Sequence, residues 1–430
     1  MSLTTRASRA GAAQRPAARV FYGWVIAWTS FAVLTLTYGV QFSFGVLRGP
    51  MVEDLGISTT EATLAFSVYV FVYSALSSVS GVITDRRGPR VVLAAAAVLL
   101  GGGYALTAAS TSLWQLVIAL GVVAGLGMSG SFVPCNATVV RWFLAKRGRA
   151  LSVSTSGGSF AAIVMPLLSG WLIDRYSWRT LYLAYALVLA VGLAAASRIM
   201  VRDPDALGLA VDGEPAPAPS GADPAGGAAV EEPSLTAREA ARTGVFWLVF
   251  WVFLLTWLVV FVPLAQLPAF AEGIGVRRSV AASLISAIGV GGMFGRLFTG
   301  SVSDVIGRAP ALAIMLGAQA AAFTAFAASQ GLWLLYPAAA VFGAAYGGTT
   351  TLFPAIVADR FGRAHVGAIV GVIFGGAGSM AAIGPAVAAW MSDLSGSYRS
   401  AFLLCGLVNL LALALVGVLV AGGRRSPAPA

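Results

Sequence analysis

The sequence predicts an all-α membrane protein with twelve transmembrane helices, arranged as two pseudo-symmetric bundles of six. Three observations predict this fold class. Of the 430 residues, 58% are hydrophobic and only 10% are charged, against about 25% charged in a soluble domain. Twelve apolar stretches reach the length of about 20 residues that a helix needs to cross a bilayer. The third observation is an internal repeat, in which the second half matches the first at an offset of 219 residues.

The twelve predicted spans are too long and too evenly apolar for membrane barrel strands, which are shorter and alternate polar with apolar residues. In chain order they cover residues 22–47, 59–83, 91–110, 113–140, 150–173, 179–200, 245–270, 280–303, 310–329, 332–358, 366–391 and 399–421.

One long break separates the sixth span from the seventh. Residues 201–243 are rich in Pro, Ala and Gly and predict a flexible cytoplasmic linker. The linker divides an N-terminal bundle (21–200) from a C-terminal bundle (244–422), with cytoplasmic tails at 1–20 and 423–430. The first 20 residues are basic without an apolar core, so no cleaved signal peptide is predicted.

The net charge of +10 follows the membrane topology. With the N-terminus in the cytoplasm, 20 of the 27 Lys and Arg residues lie in cytoplasmic segments and six lie outside. This asymmetry is the positive-inside pattern, so both termini are predicted to be cytoplasmic. The basic residues are therefore explained without a nucleic-acid partner. The expected environment is a lipid bilayer, and the expected state is a monomer.

The remaining basic residue, Arg296, lies inside the eighth span. A charge at this depth costs at least roughly 2.5–3.5 kcal/mol and is retained mainly where it has a polar cavity or an anionic partner. No Asp or Glu occupies the middle of any apolar segment. The missing partner is therefore predicted to be an anionic substrate, whose carboxylate a guanidinium can bind through two hydrogen bonds.

The repeat brings two loops into register: GVITDRRGPR (81–90) after the second span and GSVSDVIGR (300–308) after the eighth. Glycine allows close helix approach, and each Asp can accept from a helix N-terminus or pair with Arg. Arg141 and Arg360 are the predicted partners. The residues predicted to form a gate are Gly81, Asp85, Arg86, Gly88, Arg90, Arg141, Gly300, Asp304, Gly307, Arg308 and Arg360.

These loops resemble the signature of the major facilitator superfamily. The W-F-x-x-K-R-G-x-A-L pattern at 142–151 and VFYGWVIAW at 20–28 are similar to the monocarboxylate transporter family and its bacterial oxalate:formate antiporter-like relatives. The Tyr22–Gly23–Trp24 form is typical of the bacterial relatives, so the resemblance implies a bacterial cytoplasmic (inner) membrane.

The resemblance implies that Arg296, eight residues before Asp304, binds the substrate carboxylate. It also implies that spans 1, 4, 7 and 10 line the passage. Polar residues on these spans could hydrogen-bond the substrate, although each could equally be an interhelical contact. These candidates are Tyr38, Gln41, Asn136, Gln266, Tyr346 and Thr350.

The departures from the family pattern narrow the expected substrate. Gly292 stands where proton-coupled members have an acidic residue, residues 38–44 contain no Lys, and residues 367–390 contain no cation. A single cation favours a monoanion such as lactate or pyruvate over a dianion, and leaves proton symport and anion exchange both open. An exporter of another small molecule and a carboxylate sensor that does not transport are the alternatives.

The motifs predict neither an enzyme nor a bound cofactor. The sequence has no phosphate-binding loop, no metal-site spacing and no catalytic-triad spacing.

Overall fold

A computed structural model describes residues 21–173, 175–213, 234–381 and 383–423. Within these residues the chain forms twelve helices long and apolar enough to cross a membrane, which confirms the predicted fold class. The predicted tail at 1–20, most of the tail at 423–430 and linker residues 214–233 lie outside the described residues.

Six helices precede the linker and six follow it. The first six are α1 (Tyr22–Leu55), α2 (Thr59–Arg87), α3 (Pro89–Ala109), α4 (Leu113–Trp142), α5 (Arg147–Ile173) and α6 (Trp178–Ile199). The others are α7 (Gly244–Gly273), α8 (Arg278–Ile306), α9 (Arg308–Ala328), α10 (Leu332–Phe361), α11 in two segments (Val366–Met380 and Ile383–Ser395) and α12 (Arg399–Gly423).

Two glycines of the repeat set the sharp breaks between helices. Gly88 (φ 84°) separates α2 from α3, and Gly307 (φ 92°) separates α8 from α9. Side chains with a Cβ rarely adopt these backbone angles. Glycine therefore lets each helix end and the next begin at a single residue.

Three predicted spans differ from the observed helices. Helix α1 continues to Leu55 rather than residue 47 and ends at Gly56, which is left-handed (φ 63°). Helix α4 is π-helical over Val117–Ala124 and turns at 129–131. An added Cβ at Gly127 of α4 would lie 2.7 Å from the Leu100 amide nitrogen of α3, so close packing accompanies the irregular stretch. Helix α11 is interrupted after Met380.

The two halves meet through two equivalent helix pairs. Helix α2 packs along α11, and α5 packs along α8. In the repeat α2 corresponds to α8 and α5 to α11, so a pseudo-twofold axis relates the two contacts. On the outside, large apolar side chains such as Val98, Leu167 and Leu187 are more than 60% exposed. A lipid bilayer covers such surfaces, and the chain is a multi-pass membrane protein.

The ends of the predicted flexible linker are structured. Residues 201–213 contain the 3₁₀ turn Pro204–Leu207, and Ala237–Ala240 form a short helix before α7. Thr236 and Glu239 cap this helix reciprocally. Hydrogen bonds from Thr236 lower the pKa of Glu239 below its usual value. Both ends lie on the face where α2, α4, α8 and α10 end, which is called the signature-loop face below.

Candidate functional site

Arg296 lies in the middle of the molecule, at the interface between the halves. It is ten residues before the end of α8, or about 15 Å from the signature-loop face at 1.5 Å per residue. The side chain is only 9% exposed. A charge in such a position requires polar neighbours, because water is largely excluded.

The neighbours of the Arg296 guanidinium are neutral. One terminal nitrogen donates to the Ser159 hydroxyl of α5, and Nε donates to Thr350 Oγ1 of α10 at 3.3 Å. The guanidinium carbon lies 5.3 Å from the centre of the Tyr346 ring, a cation–π contact. Within the described residues, no Asp or Glu forms an ion pair with Arg296. The positive charge is therefore available to an anion.

Of the four glycines near Arg296, only one lies beside the guanidinium. An added Cβ at Gly292 would lie 3.7 Å from an Arg296 terminal nitrogen and 3.2 Å from Ser159 Oγ. Gly291 and Gly295 instead press against the backbone of α10. These two glycines allow α8 to pack closely on α10.

The structure brings four predicted binding residues together with Arg296. Thr350 and Tyr346 contact it directly. Tyr38 of α1 lies within electrostatic range of both Arg296 and Tyr346, and Gln41 lies one turn farther along α1, beside Tyr73. The Gln41 amide oxygen is buried and, in the described part of the chain, has no hydrogen-bond donor. These side chains come from both halves.

The other two predicted binding residues point elsewhere. Asn136 is fully buried within the N-terminal half, where it donates to the Phe132 carbonyl and accepts from the Ser154 hydroxyl at 3.0 Å. Gln266 donates to the Pro385 carbonyl at 3.3 Å, far along α7 from the signature-loop face. Neither forms a described hydrogen bond with Arg296, and their interhelical partners are Ser154 of α5 and Pro385 of α11.

A wall of aromatic rings beside Arg296 was not predicted. Trp257 of α7 lies 6.3 Å from Tyr346 and 5.4 Å from Phe374 of α11, measured between ring centres. Phe374 also contacts Tyr73 of α2 at 6.3 Å and Phe132 of α4 at 5.2 Å. Single aromatic residues are common in membrane spans, so only the tertiary structure reveals that these form one surface.

At the signature-loop face, Asp85 joins the two halves. Its carboxylate accepts from Arg141 at 2.9 Å, as predicted from the sequence, and from the amides of Gly367 (3.1 Å) and Ala368 (2.6 Å) at the start of α11. Arg141 also donates to the Ala364 carbonyl of the C-terminal half. A carboxylate at a helix N-terminus is stabilised by the free amides and the helix dipole.

Asp304 of the C-terminal half makes the equivalent contact with a helix of the N-terminal half. It accepts from the amides of Gly148 (3.0 Å) and Arg149 (3.1 Å) at the start of α5. Residues 148 and 149 correspond to 367 and 368 in the repeat, so the two carboxylates bind equivalent helix ends. Arg308 supports Asp304 with an ion pair at 2.5 Å.

Two further repeat-related glycines allow these helix ends to approach. A Cβ added to Gly81 would overlap the Gly367 carbonyl, and one added to Gly300 would overlap the Gly148 carbonyl. Because the obstacle is backbone on both sides, neither contact has room for a larger residue. All hydrogen bonds described between the halves lie between this face and the level of Arg296.

Arg360 does not take the role predicted for it. It is exposed, and none of the described ion pairs includes it. Instead, buried Arg147 of α5 pairs across the interface with Asp359, which also accepts from Arg308 at 3.3 Å. The sequence carried only a weak signal for this pair, because Arg147 also fits a positive cytoplasmic loop.

The other two basic residues predicted for the gate stay on the N-terminal half. Arg86 is exposed, and Arg90 donates to the Met200 carbonyl at 2.9 Å. Neither makes a described contact with the C-terminal half.

The linker ends hold the two loops that carry these contacts. Asp212, with a positive φ of 61°, accepts from the amides of Leu144 (3.0 Å) and Ala145 (2.7 Å) just before α5. On the other half, Leu235 donates to the Phe361 carbonyl at 2.9 Å. The linker thus fixes both repeat-related loops.

We expect Asp212→Ala to destabilise the protein by about 1 kcal/mol, because two amide donors lose a partly exposed charged acceptor. Asp212→Asn retains an acceptor oxygen, and Asn tolerates a positive φ, so it is the control. Thermal unfolding of the purified protein measures both. Equal unfolding temperatures for wild type and Asp212→Ala would contradict a stabilising role.

Comparison with known proteins agrees with this architecture. The profile of the Major Facilitator Superfamily matches residues 29–328 and 264–430. The chain belongs to this superfamily. Among relatives of this major facilitator protein, rat monocarboxylate transporter 13 is 24% identical over 390 residues, covering 90% of this chain and 86% of the relative. Mouse monocarboxylate transporter 11 is 26% identical over 399 residues, covering 89% of this chain and 84% of the relative.

Solved structures of the superfamily have the same fold. The human organic anion transporter MFSD10 matches with a TM-score of 0.69 at 14% identity, covering 93% of this chain and all of that one. The E. coli fucose:proton symporter matches with a TM-score of 0.68 at 13% identity, covering 92% of this chain and 99% of the symporter. The relatives named above are mammalian, so the bacterial origin stays a prediction from the Tyr22–Gly23–Trp24 motif.

Proposed function

We propose that this major facilitator protein is a secondary transporter of a small organic monocarboxylate, which it moves by alternating access around Arg296. The observation that carries the proposal is a buried guanidinium at the interface of the halves with only neutral described neighbours. A carboxylate would neutralise it with charge-assisted hydrogen bonds in a medium of low dielectric. The similarity to monocarboxylate transporters supports the same substrate class.

Opening and closing would use the contacts at the signature-loop face. Asp85 and Asp304 each bind the first amides of a helix in the other half. Separating the halves there would break both carboxylate–helix contacts and the Arg147–Asp359 ion pair. The positive-inside charge pattern supports a cytoplasmic position for this face. The described state is then closed to the cytoplasm.

Uptake of labelled lactate into proteoliposomes tests the transport proposal. We expect saturable uptake that other monocarboxylates inhibit and that oxalate inhibits weakly, because the site supplies one cation. Stimulation by a pH gradient would indicate proton symport, whereas stimulation by internal lactate alone would indicate anion exchange. Binding without uptake or counterflow would instead identify a sensor.

Gly292 offers a direct test of the unpaired guanidinium. In Gly292→Asp, a carboxylate would sit beside Arg296, because the added Cβ lies 3.7 Å from its terminal nitrogen. We expect lactate affinity at neutral pH to fall about 10- to 100-fold, since the substrate must displace an internal ion pair. Because the ion pair with Arg296 keeps the new carboxyl ionised, the loss should persist between pH 5 and 8.

Gly292→Asn is the matched control for that substitution. It has nearly the same volume but carries no charge, so it should reduce affinity less than Gly292→Asp does. Equal losses in the two variants would mean that crowding of Ser159, rather than charge competition, explains the effect. Binding can be measured by titration calorimetry between pH 5 and 8.

A further inference from the structure

The surface beside Arg296 is built largely from aromatic rings of both halves. The N-terminal half contributes rings from α2 and α4, and the C-terminal half contributes rings from α7, α10 and α11. The five residues are Tyr73, Phe132, Trp257, Tyr346 and Phe374, which are called the aromatic wall below.

The aromatic wall begins at the Arg296 guanidinium. Tyr346 contacts Arg296 through its ring face (5.3 Å) and meets Trp257 at an interplanar angle of 84°. Trp257 meets Phe374 at 77°. Edge-to-face packing of this kind leaves ring faces and edges available to a further ring, which is a favourable arrangement for aromatic side chains and ligands.

Parts of the wall remain uncovered although it lies at the centre of the molecule. Trp257, Tyr73 and Phe374 are buried (8%, 5% and 1% exposed). Phe132 and Tyr346 are half-buried, and each contacts one of these buried rings. Phe132 and Tyr346 therefore keep ring surface that these neighbours do not cover.

Two polar groups beside the wall, Ser159 and Thr350, suit the carboxylate end of a ligand. Both contact Arg296 itself. A two- or three-carbon acid held by Arg296 would leave the exposed ring surface of Phe132 uncovered. A ring attached to the carboxylate would instead bury apolar surface against it.

We propose that the preferred substrate class is an aromatic monocarboxylate, with its carboxylate on Arg296 and its ring against the aromatic wall. This rests on the proposed function, because it uses the same guanidinium as the anion site. The affinity gain over a short acid should be on the order of 10- to 100-fold, the range expected when a ring is buried among aromatic side chains.

Calorimetric titration of the purified full chain tests the proposal. The probes are phenylacetate, indole-3-acetate, cyclohexylacetate, propionate, lactate and the neutral phenylacetamide. We expect the two aromatic acids to bind 10- to 100-fold tighter than propionate or lactate, cyclohexylacetate to bind more weakly than phenylacetate, and phenylacetamide to show no binding.

Two outcomes separate this inference from the proposed function. If lactate and propionate bind as tightly as phenylacetate, or cyclohexylacetate matches it, the aromatic preference is overturned and the monocarboxylate function stands. If no carboxylate binds, both are overturned.

Substitution in the wall gives a second measurement. Trp257→Leu should lower phenylacetate affinity at least tenfold and change lactate affinity less than threefold. Phe270→Leu, in the same helix but packed on Phe402, is the matched control and should leave both affinities unchanged. Equal losses for phenylacetate and lactate in Trp257→Leu would overturn the proposal. If that variant does not fold, the ligand series on the unmodified chain still decides.

Discussion

Arg296→Gln should reduce carboxylate transport on the order of 30- to 3,000-fold. Loss of one member of a buried, hydrogen-bonded charge pair costs about 2–5 kcal/mol, and each 1.4 kcal/mol is a factor of ten. The measurement is kcat/KM for labelled substrate in proteoliposomes. Arg296→Lys should recover only part of the activity, because an ammonium group keeps the charge but not the planar pair of donors.

The unfolding temperature of the Arg296→Gln variant distinguishes a substrate-binding role of Arg296 from a structural one. A charge at the centre of a membrane helix is unfavourable by roughly 2.5–3.5 kcal/mol, and its described hydrogen-bond partners are neutral. We therefore expect Arg296→Gln to unfold at the same temperature as wild type or higher. Arg277→Gln, in the exposed residue that precedes α8, is the control and should transport normally. Normal transport by Arg296→Gln would refute the assignment.

The second large effect is expected for Gly300→Val, which should prevent closure at the signature-loop face. The Cβ alone would overlap the Gly148 carbonyl and Ser152 Oγ of α5. Overpacking costs about 1–3 kcal/mol, which shifts a two-state equilibrium about 5- to 150-fold. The cost arises only when α5 and α8 meet, so the open state should become more populated.

Spin-label distances across this face measure the shift. Leu144 and Val245 are exposed residues on opposite halves, and Leu144→Cys with Val245→Cys can carry the labels after Cys135→Ala and Cys405→Ala. Gly300→Val should lengthen the distance. Gly317→Val is the control, because an added Cβ there meets nothing within 4 Å. An unchanged distance in Gly300→Val would rule out this contact as the limit to closure.

The partners of Asp85 and Asp304 were only partly predictable from the sequence. The repeat indicates that both carboxylates occupy equivalent positions, and their placement at helix ends suggests either an Arg or a helix N-terminus as partner. Asp85 uses both kinds of partner. Which helix supplies the amides depends on how the halves pack, because the bound residues lie 282 and 156 positions away in the chain.

The position of the aromatic wall and the contacts of Asn136 have one cause. Asn136 and Trp257 both lie on helices expected to line the passage, yet Asn136 turns to Ser154 whereas Trp257 turns to Tyr346 and Phe374. Near-uniform apolarity in α7 leaves no periodic pattern that reports its rotation, and in α4 the partner of Asn136 depends on which helix packs against that face. Packing against the neighbouring helices sets that rotation.

The sequence by itself determined the twelve spans, the two-fold repeat and the position of a single charge deep in the membrane. These features depend on short stretches of sequence. The spans follow from the length of each apolar run compared with the thickness of the bilayer, and the buried charge stands out because burying it is costly. Only the tertiary structure decided what surrounds Arg296 and which helix ends the two aspartates bind. Those contacts join distant segments, and they follow from helix rotation and the close approach allowed by Gly81 and Gly300, which no local pattern encodes.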